Sequence, residues 1–158
     1  MEIKYKQPKL KDSLYGSMFW EDLDEDTDGH WCASIKFVPS EEFDLLIETA
    51  PLDFMAVRNT HSIYKKLIAD IPSIRRRMIQ EILHDLPDIV KDRSHRKSIV
   101  ERLKKNLNIF SIRIYYDLSS EIEFAEEGFM DRAIEDLEDN FYVLLDNKGD
   151  FSEAGISD

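Results

Sequence analysis

One cysteine, Cys32, is the only thiol in 158 residues. An internal disulfide is therefore excluded, and a reducing cytoplasm is the expected setting. Glycine and proline are scarce, five of each, which excludes collagen-like and low-complexity chains. No apolar run approaches the ~20 residues of a membrane-crossing helix. The basic stretch 1–13 lacks the apolar segment that would make it a secretory signal. Positive charge is in deficit: 21 Lys and Arg stand against 33 Asp and Glu, a formal net charge of −12. Nucleic acid is thereby excluded as the main partner, because phosphate binding needs a cationic surface. The motifs of common active sites are missing too: there is no GxSxG elbow, no HExxH and no glycine-rich phosphate loop. An enzyme is not indicated.

What is present is a chain long enough for one domain, residues 1–158, with a sizeable core. Its charge falls in blocks. Residues 1–52 carry 5 Lys/Arg against 12 Asp/Glu, residues 53–107 carry 13 against 7, and residues 117–158 carry 2 against 14. A basic middle between two acidic ends is first read as solvated helix faces. The sharper reading is an acidic face left over for a basic protein partner.

Hydrophobic periodicity gives the elements. Leu10 to Glu21 is aromatic-rich and reads as a strand. In residues 31–38, Trp31, Ala33, Ile35 and Phe37 alternate with Cys32, Ser34, Lys36 and Val38, the period of a half-buried strand. Residues 43–49 fit a third strand or a short helix, and the strand is the preferred reading. The middle has helical spacing. Thr60 is expected to cap a helix burying Ile63, Tyr64, Leu67, Ile68 and Ile71. Pro72 then opens a second helix, with Ile74, Met78, Ile79, Ile82 and Leu86 inward, ending before Pro87. Ser94 caps a third, with Ile99, Val100, Leu103 and Leu107 inward. Strands return at 109–118, 121–125, 141–145 and 151–156, with 129–137 a short helix or irregular. Strands, about three helices, then strands again predict an α+β domain whose helices pack on an antiparallel sheet.

Three candidate sites stand out. Asp24, Asp26, Asp28 and Gly29 have the spacing of the first half of a calcium loop. The twelfth position, which should be a bidentate Glu, is Ile35, and both flanks read as strands. An acidic strand connection is the better reading. Asp28, His30 and Cys32 alternate along one strand face and contain zinc-type donors, with His61, His84 and His95 elsewhere in the chain. Cys32 is expected as a small buried hydrophobe, His84 and His95 as helix-end partners. Arg75, Arg76 and Arg77 point about 100° apart on a helix, and internal pairing with the acidic C-terminal third is expected.

The final stretch 141–158 supplies a resemblance. Phe141, Val143, Leu145, Asp146, Gly149, Ala154 and Ile156 resemble the terminal hairpin of a group of small bacterial domains of unknown function. An early Trp-led strand, here Trp31 and Ile35, and a strand like 109–118 followed by 121–128 also fit that group. The resemblance implies an immunity-type protein of a bacterial toxin system and carries over no catalytic residue.

The leading expectation is thus a cytoplasmic, acidic protein-binding module that neutralises a basic toxin by steric and electrostatic blocking. It has no membrane or nucleic-acid partner, no cofactor and no assigned metal. The partner-binding residues are expected in two regions. One holds Asp22, Asp24, Asp26 and Asp28; the other holds Glu126, Glu127, Asp131, Glu135 and Asp136. The alternatives are a calcium- or zinc-binding protein or metalloenzyme using segment 24–32, and a structural domain with no dedicated site.

Overall fold

The computed structural model describes residues 8–22, 29–38, 41–50, 53–89, 91–126 and 140–156. Four strands come first: β1 (Lys9–Asp12), β2 (Gly16–Asp22), β3 (Gly29–Val38) and β4 (Glu41–Glu48). Helices α1 (Phe54–Asn59), α2 (His61–Ile89) and α3 (Arg93–Asn106) follow. The chain closes with β5 (Leu107–Ile114), β6 (Ser120–Glu126), β7 (Phe141–Leu145) and β8 (Phe151–Ile156). The expected α+β class holds, and a single eight-stranded sheet dominates it.

The strands lie side by side in chain order, and every neighbouring pair is antiparallel except β4 and β5. The sheet is therefore not wholly antiparallel, as the segregated runs suggested. It is two four-stranded meanders joined by a parallel seam. A hairpin can join only antiparallel strands, so a parallel neighbour requires a long crossover. Residues 49–106, with the helices described above, supply it.

One sheet face is apolar from edge to edge. Ala33, Leu45, Ile112, Ile122, Val143 and Ala154 form one cross-strand row. Trp20, Trp31, Ile47 and Ile114 form the next. Trp20 and Trp31 meet edge to face at 5.5 Å, and Phe54 of α1 tilts against Trp31. Helix α2 lays Ile63, Leu67, Ile71, Ile74, Met78 and Ile82 into this face, all buried. Each such side chain is worth roughly 1.5–3 kcal/mol. Ile99, Val100 and Leu103 of α3 join the same core.

The sheet curls around the start of α2. Asp12 and Tyr15, at the β1–β2 turn, meet one side of it. The Asp12 carboxylate lies 2.9 Å from Nε2 of His61, and the Tyr15 hydroxyl lies 2.7 Å from the Thr60 hydroxyl. On the other side Lys66 donates to Asp150 at 2.9 Å, in the β7–β8 turn. His61 and Tyr64, both against the Tyr15 ring, point away from Ile63 and Lys66, both near Gly149, at 100° per residue, so the two edge hairpins clasp the helix. The apolar face is thus the concave one.

Several local expectations give way here. The two helices expected at 60–71 and 72–86 are one, α2, which runs through Pro72 and Pro87. A proline inside a helix costs about 3 kcal/mol; the continuous apolar stripe on both sides of Pro72 outweighs it. Thr60 does not cap α2 with its side chain, since its hydroxyl donates back to the Val57 carbonyl. Asp92, not Ser94, caps α3, accepting from the N–H groups of Ser94 and His95. Leu10 to Glu21 is a hairpin rather than one strand. Among the described residues, no helix is long and apolar enough to cross a membrane. Residues 129–137 lie outside the described ones.

The Asp12 clasp yields a pH prediction. Burial would raise its carboxyl, but the N–H groups of Tyr15 and Leu14 and the His61 ring outweigh burial and hold it below the usual range. A carboxyl lowered on folding contributes stability above its unfolded value, and that contribution is lost as pH falls through the folded one. The Asp12→Asn variant should therefore be less stable than the parent at pH 7. The gap between their urea midpoints should close on acidification below about pH 4.

Candidate functional site on the open face of the sheet

The strand alternation that builds the apolar face puts a different set of side chains on its back. Glu21 faces outward from β2, His30 and Cys32 from β3, and Glu42, Asp44 and Glu48 from β4. Arg113 follows on β5, Glu121 and Glu123 on β6, Tyr142 on β7 and Glu153 on β8. The core side chains of the helices belong to the opposite face. The back of the sheet is thus its convex side. From β2 to β8 it carries seven described carboxylates: Glu21, Glu42, Asp44, Glu48, Glu121, Glu123 and Glu153. The described cations facing the same way on these strands are Lys36 and Arg113.

These carboxylates are held mainly by neutral donors. Ser34 donates to Glu42 at 2.6 Å, Tyr115 to Glu121 at 2.8 Å, Asn140 to Glu123 at 2.7 Å and Tyr142 to Glu153 at 3.0 Å. Among the described residues, Glu48 has a cationic partner, Arg113 at 3.3 Å, and Glu21 pairs with His30 at 2.9 Å. A hydroxyl orients a carboxylate without cancelling its charge. Neighbouring strands are about 4.8 Å apart, well inside the ~8–10 Å screening length of physiological salt. The negative fields of adjacent strands therefore add. Burial, and then the Glu121 carboxylate that it serves, push the Tyr115 hydroxyl up to about 12.

At the β2–β3 end lies a mixed cluster. The strand register sets Glu21 directly opposite His30. One Glu21 oxygen sits 2.9 Å from His30 Nε2 and accepts from the Cys32 thiol at 3.3 Å. An ionised carboxylate can only accept, so Nε2 carries the proton. The hydrogen bond from His30, then that from Cys32, hold the Glu21 carboxyl below its usual range. Burial, followed by the neighbouring Glu21, pushes the Cys32 thiol up to about 12. Cys32 is buried, as its small size suggests, but it faces away from the apolar core.

Gly29 fixes this end of the sheet. A Cβ there would overlap the Trp20 ring and the Glu21 carbonyl. Gly29→Ala is expected to cost about 1–3 kcal/mol through overpacking, read as a lower denaturant midpoint. It should also disturb the Glu21–His30 pair, read from the His30 ring signals in NMR.

The residues expected at the partner surface are placed only in part. Asp24, Asp26, Asp28, Glu127, Asp131, Glu135 and Asp136 lie outside the described residues, and Glu126 ends β6. Asp22 shares the core side of its strand with Trp20 and accepts from the Trp20 indole N–H at 2.6 Å. It is not on the open face. The arginine cluster also differs from expectation. Arg75 pairs with Glu41 at 2.6 Å, in the N-terminal half, and Arg77 stacks its guanidinium 4.2 Å from the Phe151 ring centroid. His61 binds Asp12 rather than acting in a metal set.

Sequence reasoning missed Glu42, Asp44, Glu121, Glu123 and Glu153 as one surface. Each sits at an alternate strand position, and that signal was available. Their union across β4 to β8 depended on strand order, which was not. Comparison with protein-family models, curated proteins and solved structures finds no match to this chain.

Proposed function

We propose that the convex face of the sheet docks a basic protein partner, and that the protein acts as an immunity-type binding module for a cationic toxin domain. The observation that supports this reading is the run of carboxylates from β4 to β8, oriented by hydroxyl and amide donors that leave their charge in place. Residues held in this way are preorganised, so docking a lysine- or arginine-rich surface costs little ordering. Summed negative potential speeds encounter with a cationic partner and rejects acidic ones. Blocking is then steric as well as electrostatic: a rigid sheet laid over a cationic active site excludes its substrate. The chain performs no chemistry in this account.

The test is co-expression and co-purification with the products of adjacent reading frames, washed at low and high salt. The expected result is a stoichiometric complex with a basic protein that dissociates as salt rises. A complex whose partner is acidic, or whose retention ignores salt, contradicts the electrostatic reading.

A further inference from the structure

The cluster at the β2–β3 end offers chemistry that partner docking does not use. A carboxylate oxygen of Glu21, an imidazole nitrogen of His30 and the sulfur of Cys32 lie within 4.8 Å of one another. All three stand on paired strands whose register Gly29 and the two tryptophans fix. We propose that Glu21, His30 and Cys32 bind a divalent transition-metal ion of the zinc class, with Cys32 as thiolate, His30 as imidazole and Glu21 as carboxylate ligand.

The donor types select the metal. Zinc accepts sulfur, nitrogen and oxygen ligands together, whereas calcium and magnesium take oxygen alone. A thiolate paired with an imidazole favours the later, softer first-row ions. Donors around a tetrahedral ion stand roughly 3.3–3.8 Å apart, given bond lengths of about 2.0–2.3 Å. The three groups need close by only about 1 Å, which side-chain adjustment supplies. Nδ1 of His30 is buried and has no hydrogen-bond partner among the described residues, so it can carry the ring proton when Nε2, which faces Glu21, turns to the ion. The Glu21 side chain is 54% exposed, which leaves a path for the ion. On binding, the thiol proton leaves to solvent, the imidazole proton passes from Nε2 to Nδ1, and the hydrogen bonds of Cys32 and His30 to Glu21 give way to bonds to the metal. Three protein ligands leave a fourth position for water or an incoming group.

Cobalt(II) is the probe, added to the full chain under reducing conditions. One equivalent should produce intense visible bands of a four-coordinate ion and a near-ultraviolet thiolate-to-cobalt charge-transfer band. Zinc(II) should bleach both, and calcium should not. Cys32→Ser should abolish the charge-transfer band. Glu21→Gln, at a half-exposed position that folding tolerates, should weaken cobalt binding about tenfold or more while retaining the band at saturation. The proposal is overturned if the folded protein shows no charge-transfer band. It is equally overturned if the band survives in Cys32→Ser, or if Glu21→Gln binds cobalt as tightly as the parent.

Discussion

Replacing Glu41 with alanine is expected to destabilise the fold by about 3–5 kcal/mol. Glu41 begins β4 and is buried, with a side chain only 6% exposed. Its Oε1 accepts from Arg75 of α2 at 2.6 Å and from the backbone N–H of Ile109 at 2.6 Å. That N–H lies at the β5 irregularity between Ile109 and Ser111, where Phe110 has no opposite number on β6. One carboxylate thus binds α2 and the start of β5 to β4, beside the parallel seam. Its removal leaves a guanidinium and a buried backbone donor without this acceptor, and both lose more than they would in water. Arg75 also lies 5.7 Å from the Phe124 ring centroid, so a displaced guanidinium disturbs packing there. Adding Arg75→Met to Glu41→Ala should recover part of the loss, because the cation is then gone, but not all of it, because the Ile109 N–H is still unmet. Denaturant unfolding of the two single variants and the double variant measures this. A loss below about 1 kcal/mol for Glu41→Ala would mean that the junction is not anchored in this way.

The second large effect concerns association. In a variant combining Asp44→Asn, Glu121→Gln, Glu123→Gln and Glu153→Gln, the association rate with the basic partner is expected to fall at least about tenfold at low salt. The salt dependence of that rate should flatten with it. Amides keep the size of the carboxylates and can still accept from Tyr115, Asn140 and Tyr142, so the fold should be retained while four negative charges are lost. Stopped-flow mixing over a range of ionic strength gives both quantities. An unchanged rate would remove the convex face from the docking account.

The sequence is most legible where a side chain's role depends on its own strand. Alternation in residues 31–38 and 141–145 identifies β3 and β7, because one buried face forces a period of two. It is less legible where an energy must be weighed against distant partners. Pro72 is a sound break signal locally, and it loses to the apolar stripe that α2 lays across the sheet. Asp92 and Ser94 are both good caps, and backbone placement decides between them. The parallel seam between β4 and β5 leaves no mark in either strand. The metal cluster divides in the same way. His30 and Cys32 are visible as alternating donors, whereas Glu21 joins them only through the β2–β3 register, nine residues upstream of His30. The acidic face needed the order of five strands before scattered glutamates became a surface.

The most direct test of that surface is carboxylate footprinting by carbodiimide labelling and mass spectrometry, on the protein alone and in its complex. The docking account predicts protection of Glu42, Asp44, Glu121, Glu123 and Glu153 in the complex. Asp53, Glu81 and Glu101, exposed on the helical side, should label equally in both states. Protection of the helical carboxylates with the convex face still reactive would contradict the account.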